Sequence, residues 1–513
     1  MSQADSEFIQ LDWFKKWSEY SPNKVAIKDG ETGRQFTYSE LYKETLKTAK
    51  VLSEEYHVKK GDRVAVLAAN ELEFVFLFFA LQRLGAIFVP VNFRLTAREI
   101  SYIVNDCQPK LLLFQEEFRQ TVQSLQLTFE CKTKLFTKSL SEDNSFAQQA
   151  ENVTNSVEEL AQKFTFVPEF KDENMILYTS GTTGFPKGAV LTFSSIYWNS
   201  INTSISLNLT QNDCAVIFLP FFHTGGWNVL TTPILHRGGT LVFLKKFDAQ
   251  NVLKLSSQDK ATLLFGVPTT MDMMSQQANF SEIDLTSLRF AIVGGEPMPV
   301  ELIKKWQHKG VDVRQGYGLT EFGPNVFSLP QADSVRKIGS IGFANFYVEV
   351  DIVDEAGKSL AADEIGELVL KGPMAMKGYW KNAKATEETI RNGWLHTGDL
   401  VKKDSEGYFY VVGRKKDMFI SGAENVYPAE IEQILRQLPQ IAEAAVIGVE
   451  DAKWGEVGKA FVSLHKDSFL TENQIVEHCS KNIAKYKIPK YFVFMDSLPK
   501  GDSGKILKKN LPK

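Results

Sequence analysis

Cysteine and histidine are scarce in this chain, with 4 and 7 among 513 residues. Cys107, Cys131, Cys214 and Cys479 are scattered, show no metal-ligand spacing, and read as reduced, structural thiols of a cytoplasmic protein. No charge of one sign dominates: 58 Lys+Arg stand against 62 Asp+Glu, a net charge of −4 that gives no sign of nucleic-acid binding. No apolar run is long enough to span a bilayer, since the most apolar stretch, residues 74–81, stops at Gln82-Arg83. The start, Met1-Ser2-Gln3-Ala4-Asp5, lacks the basic region and apolar run of a signal peptide. Internal repeats and low-complexity segments are also lacking, which argues against a solenoid or a disordered scaffold. What remains is an ordinary globular balance, 43% apolar and 23% charged, in a chain too long for one typical core. Two or more domains are expected.

The first two-thirds alternates short β-branched or aromatic runs with amphipathic stretches. Arg63-Val64-Ala65-Val66-Leu67 precedes an apolar face at 72–84, and Thr240-Leu241-Val242-Phe243 precedes 248–256. Phe290-Ala291-Ile292-Val293 precedes a helical pattern at 299–309. Such alternation predicts parallel or mixed sheets covered by helices. From about 339 to 412 short strands dominate, as in Glu367-Leu368-Val369-Leu370. A charged turn, Gly413-Arg414-Lys415-Lys416-Asp417, then leads into an α+β pattern in which Pro428 opens a helix with Ile431, Ile434, Leu435 and Leu438 on one face. Strands near 444–449 and 459–464 and a helix near 472–485 follow. The domain boundary is placed at 413/414, giving an N-terminal domain of 1–413 and a C-terminal domain of 414–513.

The strongest local signal is Tyr178-Thr179-Ser180-Gly181-Thr182-Thr183-Gly184-Phe185-Pro186-Lys187-Gly188. A strand-like run feeds a loop of glycines, small hydroxyls and one lysine. Glycines let backbone N–H groups converge on an oxyanion, the hydroxyls add donors, and Lys187 adds positive charge. The natural ligand of such a loop is a nucleotide polyphosphate; the alternative is a flexible surface loop. It is not a Walker A loop, because Pro186 stands where that pattern wants its second glycine or lysine.

This loop resembles the signature of the adenylate-forming superfamily: acyl-CoA synthetases, luciferases and peptide-synthetase adenylation domains. The resemblance runs from about residue 12 to 511, with further motifs in the family's order, and is nearest to fatty acyl-CoA synthetases. It implies a large N-terminal domain of α/β subdomains with a small β-barrel-like part, and a small mobile C-terminal α+β domain. It also implies ATP, Mg²⁺ and coenzyme A.

In Gln315-Gly316-Tyr317-Gly318-Leu319-Thr320-Glu321, the glycines permit close backbone approach and Tyr317 offers a face to adenine. Thr320 can hydrogen-bond the α-phosphate, and Glu321 can give Mg²⁺ a hard oxygen ligand. Gly294-Gly295-Glu296-Pro297 resembles the segment lining the adenine and acyl pocket. In Gly393-Trp394-Leu395-His396-Thr397-Gly398-Asp399-Leu400, the resemblance gives Asp399 the two ribose hydroxyls, with Arg414 as its companion. Without it, Asp399 would read as a turn former. In Phe221-Phe222-His223-Thr224-Gly225-Gly226-Trp227, the aromatic–His pair would sit beside the acyl carboxylate, although a histidine between aromatics is ordinarily a core residue. Trp227 falls where some long-chain enzymes gate the acyl tunnel, and a buried core tryptophan is the other reading. Lys416 matches the hinge position. Gly422, in Ser421-Gly422-Ala423-Glu424-Asn425-Val426-Tyr427-Pro428, would leave room for the pantetheine arm. Lys505, in Lys500-Gly501-Asp502-Ser503-Gly504-Lys505-Ile506, matches the adenylation lysine. One departure is that the family's Leu-Thr-His run here reads Leu191-Thr192-Phe193.

The expected activity is therefore acyl-adenylate formation followed by thioester formation with coenzyme A. Medium- or long-chain fatty acids are the expected substrates, because no charged residue stands out in the pocket segments to pair with a second carboxylate. An aryl or succinylaryl acid is one alternative. A second is an enzyme that loads a carrier protein, although the sequence ends eight residues after Lys505 without a fused carrier. A third, a non-catalytic nucleotide sensor, is opposed by Lys505, Glu321, Asp399 and Lys187. Homodimers are common among related enzymes.

Overall fold

Residues 11–137, 144–166, 168–179, 186–421, 424–451, 454–501 and 505–512 are described in the computed structural model, and they form four sheets. Three belong to a large N-terminal domain and the fourth to a smaller C-terminal one. The nine-stranded sheet has a parallel centre running from Val313–Leu319 through Phe290–Val293, Leu263–Gly266, Cys214–Ile217 and Thr240–Phe243 to Val25–Asp29. The seven-stranded sheet pairs Glu173–Thr179, Ile87–Pro90, Arg63–Leu67, Leu111–Phe114 and Lys132–Leu135 in parallel, with Lys187–Thr192 antiparallel on Glu173–Thr179. Their central strands, such as the run Arg63–Leu67, are buried on both faces, which is why they read as unbroken apolar runs.

Helices start where the sequence offers caps. Thr37, Thr96, Ser156, Thr192 and Thr471 each close a capping box with the residue three positions on. The apolar run at 74–81 lies in the helix Glu73–Leu84, buried on every side and stopped by Gly85 in the left-handed region at φ 65°. Phe78 packs on Phe88 of the seven-stranded sheet, with ring centroids 5.4 Å apart, and on Trp227 from the nine-stranded half at 4.8 Å. This helix therefore ties the two halves through one aromatic core. Gln82 and Arg83, which end the apolar run, are themselves buried. Arg83 donates to the Phe164 carbonyl at 2.7 Å and pairs with Asp12.

The third sheet is antiparallel, joining Glu349–Val353, Gly366–Lys371, Trp394–Lys403, Ile390–Arg391 and Phe409–Arg414. The C-terminal sheet joins Glu424–Val426, Phe419–Ser421, Gly455–Leu464, Ile441–Asp451 and Tyr491–Phe494. The helices Pro428–Leu435 and Glu472–Asn482 close its separate core around Ile431, Leu435 and Ile475. All four cysteines are free, and Cys107, Cys214 and Cys479 are buried. Among the described residues no helix is long and apolar enough to cross a membrane.

Candidate active site

Parallel strands deliver the loops that follow them to one end of their sheet, and a contact between Thr179 and Glu321 brings loops of the two large sheets together. Strand Phe290–Val293 leads into Gly294, Gly295, Glu296 and Pro297; strand Val313–Leu319 carries Gln315, Gly316, Tyr317 and Gly318 and leads into Thr320 and Glu321. Gly318 has no alternative: a Cβ there would stand 2.2 Å from the Pro324 backbone where the strand folds back. Gly295 sits at φ +86°, a conformation that disfavours any side chain.

Asp399 is held from two sides. It is 6% exposed, and it faces Arg414 directly across an antiparallel strand pair. One oxygen accepts from the Tyr317 hydroxyl at 2.6 Å and the other from Arg414 Nε at 2.9 Å. Asp399 raises the pKa of Arg414 above the usual arginine value, whereas burial and then Asp399 raise that of Tyr317. Both donors keep their protons, and Tyr317 is held in one orientation.

Thr179 and Lys187 are register partners at the base of the hairpin that carries the glycine- and hydroxyl-rich loop. Thr179 Oγ1 lies 3.4 Å from Glu321 Oε1, which also accepts from the Tyr379 hydroxyl at 2.9 Å, and Lys187 Nζ stands 5.2 Å from the centre of the Tyr379 ring. The hairpin base and Glu321 are thus one cluster. The loop residues Ser180, Gly181, Thr182, Thr183 and Gly184, and Gly422 of the C-terminal domain, lie outside the described residues.

Lys505 reaches this cleft from the other domain. Its Cε is 3.9 Å from where a Gly295 Cβ would stand. The side chain opens onto the water of the cleft, while the protein mass around its ammonium lowers its pKa. Glu296 and Asp399 oppose that shift, and Arg414 adds to it. The surrounding protein mass raises the pKa of the solvent-exposed Glu296 carboxyl, with Lys505 the largest charge pulling it back. His223 is pushed down to about 4, by burial first and then by Arg94 and Lys505, so its ring is neutral at pH 7. Its Nε2 and the Gln315 Oε1 are buried without a hydrogen-bond partner among the described residues. Trp227 has no exposed surface; it stacks on Phe221 at 4.4 Å in the aromatic core below the cleft. Lys416 is exposed in the turn Lys415–Asp417 between the third and fourth sheets. Phe193, at the position where the family's histidine is missing, is buried against Phe166 at 5.9 Å.

Tyr379 and Arg94 carry no functional signal in the sequence. Tyr379 belongs to a two-residue edge strand, Gly378–Tyr379, whose brevity carries no periodic signal. Arg94 lies over the Phe93 and Phe222 rings, 5.7 Å from each centre, in a loop whose place beside His223 is set by tertiary folding alone.

The residues fit a magnesium nucleotide. Glu321 offers one carboxylate beside the hairpin base, and Mg²⁺ characteristically takes one or two carboxylates and draws its remaining ligands from phosphates and water.

Known proteins resemble this chain over nearly its whole length. The AMP-binding enzyme family matches residues 14–380, and its C-terminal domain matches 430–505. The chain is 36% identical over 496 residues to a feruloyl-CoA synthase of an Amycolatopsis species, covering 97% of each chain. It is also 36% identical over 491 residues to the long-chain-fatty-acid–CoA ligase FadD13 of Mycobacterium tuberculosis, covering 95% of each. The crystal structure of ATP-bound MatB from Rhodopseudomonas palustris superposes with a TM-score of 0.89 at 31% identity, covering 98% of both chains. The chain belongs to the AMP-binding enzyme family and is an AMP-forming acid–thiol ligase of the adenylate-forming superfamily.

Proposed function

We propose that this enzyme activates a carboxylic acid with ATP and transfers the acyl group to coenzyme A. The convergence of Lys505, Glu296, Asp399 and His223 on one cleft, from both domains, is the observation that supports this reading most.

A carboxylate is a poor electrophile, and joining it to AMP supplies a good leaving group. One carboxylate oxygen attacks the α-phosphorus in line, and the bond to pyrophosphate breaks. Positioning and charge stabilisation suffice for this step. Lys505 and Thr320 meet the carboxylate and α-phosphate oxygens, and Asp399 and Arg414 hold the ribose. Gln315, Gly316, Tyr317 and Gly318, with Gly295, Glu296 and Pro297, wall the adenine and acyl site. Thr179, Ser180, Gly181, Thr182, Thr183, Gly184 and Lys187 hold the outer phosphates. Glu321 would hold Mg²⁺, which would supply positive charge to offset that on the departing pyrophosphate. His223, neutral and tilted against the Phe222 ring, shapes the acyl carboxylate's surroundings. The thiol sulfur then attacks the acyl carbon, AMP leaves with the bonding pair, and the thiol proton passes to solvent.

For this second step the C-terminal domain turns about Lys416 against the N-terminal one, withdrawing Lys505 and presenting Gly422 to the pantetheine arm. The acid has a neutral apolar tail, of the medium- or long-chain fatty class, with Trp227 beneath the acyl site. An aryl acid is the second reading. It is favoured by the half-exposed Phe265 ring, whose edge lies 3.5 Å from a Cβ position at Gly225 and 3.7 Å from one at Gly294, forming a flat wall. The enzyme is proposed to be cytoplasmic and to have no nucleic-acid partner. AMP release with coenzyme A across acids of graded chain length and substituted cinnamates and benzoates tests the choice. An optimum on flat aryl acids would replace the fatty-acid reading.

A further inference from the structure

We propose that Asn70 is a positioning residue for His223, reaching from one large sheet to fix the loop of the other. Asn70 follows the strand Arg63–Leu67 and is 4% exposed. Its side-chain Nδ2 donates to the Leu219 carbonyl at 2.9 Å, and its Oδ1 accepts from the Phe221 backbone N–H at 3.0 Å. The two bonds straddle Pro220, which has no N–H of its own. One primary amide thereby makes the paired exchange that a residue makes across an antiparallel ladder, here with a loop 149 and 151 positions away.

Both ends of this bridge are anchored. On the Asn70 side, Gln115 accepts from the Ala69 N–H at 2.8 Å and donates to Glu71 at 2.7 Å. On the other side the loop has no slack, because a Cβ on Gly226 would stand 2.3 Å from the Pro220 carbonyl oxygen. The following π-helical turn, Gly225–Val229, is tied back by Asn228 Nδ2 donating to Thr224 Oγ1 at 3.2 Å. His223 lies between these fixed points. Its N–H donates to the Pro220 carbonyl at 3.1 Å and its carbonyl accepts from Gly226 N–H at 3.0 Å. Its Nε2 has no hydrogen-bond partner among the described residues, so the loop backbone and the Phe222 ring, 4.5 Å away, set where that nitrogen points. Releasing the Leu219–Phe221 backbone therefore moves Nε2 relative to Lys505. Asparagine alone fits the bridge: aspartate loses the donor and glutamine is one methylene too long.

This inference rests on the role proposed for His223 at the acyl carboxylate. The test is a double-mutant cycle on the full chain with Asn70→Ala and His223→Ala, read by acid-dependent ATP–pyrophosphate exchange, with Asn70→Asp as the shape-preserving variant should the alanine variant fold poorly. The expected result for Asn70→Ala, and for Asn70→Asp at neutral pH, is a drop of about 10-fold or more in kcat/KM for the acid, with the KM for ATP changed less than about twofold. In the His223→Ala background the same change should cost less than about threefold, since the group it positions is gone. Additive losses, or equal losses toward ATP and acid, would overturn the positioning role and leave Asn70 as a structural tie. A fully active His223→Ala variant would instead contradict the role given to His223, and this inference with it.

Discussion

Lys505 crosses from the C-terminal domain to lie over Gly295, its Cε 3.9 Å from the position a Cβ would take. The contact joins the last motif of the chain to a loop some two hundred residues earlier, beside Glu296 and within the electrostatic reach of Asp399. Lys505→Ala is expected to slow acyl-adenylate formation by about 10²–10³-fold, the scale of removing one transition-state donor. Thioester formation from supplied acyl-AMP should be largely spared. Single-turnover assays of the two half-reactions check this, and equal loss in both contradicts it.

Gly295 is expected to resist substitution because of its backbone conformation. At φ +86° an alanine is strained by about 1 kcal/mol or more, whereas its methyl would meet Val267 at 3.7 Å and Lys505 at 3.9 Å, ordinary van der Waals separations. Gly295→Ala should lower the unfolding midpoint and weaken adenylation as the loop beneath Lys505 shifts to relieve the strain. An unchanged midpoint would count against the strain.

Asp399→Ala leaves the Tyr317 hydroxyl and Arg414 without their shared acceptor. Hydrogen bonds to a charged group contribute about 1.5–3 kcal/mol, so the KM for ATP should rise about 10–100-fold. Initial-rate kinetics at saturating acid measure it. An unaltered ATP dependence would remove the ribose role.

Two pH effects follow from lowered pKa values. His223, depressed to about 4, stays neutral in the folded protein while the unfolded chain binds a proton below about 6.5. Its contribution is present above that unfolded value and is lost as pH falls toward 4, at a limiting rate of about 1.4 kcal/mol per pH unit. Denaturant titrations should show a shallower acid loss in His223→Asn than in the native chain. For Lys505 the catalytic cation disappears as pH rises through a pKa below the ordinary 10.5. Adenylation should therefore fall at a lower alkaline pH than thioester formation does.

Much of the fold was legible because its strands are short, buried and β-branched. The runs at 63–67, 240–243 and 290–293 are strands with the same bounds, and the helix face around Ile431, Leu435 and Leu438 lies in and just beyond Pro428–Leu435. The antiparallel partners were less legible. Lys187–Thr192 pairs back onto Glu173–Thr179 through a loop whose composition speaks of phosphate rather than of a hairpin. In the site, Asp399, Tyr317 and Arg414 could be named from their motifs, but the shared carboxylate could not, since it depends on a cross-strand register set by the whole third sheet. Asn70, Arg94 and Tyr379 carried no local signal. Each matters through a partner more than fifty residues away, and pairing at that distance is written in packing rather than in spacing.

The most direct test of the central claim is radiolabelled pyrophosphate exchange into ATP, run with an acid panel and no coenzyme A, followed by AMP release on adding the thiol. Acid-dependent exchange that needs no coenzyme A, with net AMP and acyl-CoA appearing only once it is present, is the predicted result. Exchange that is absent with every acid, or that requires coenzyme A from the start, would contradict a separate adenylation step.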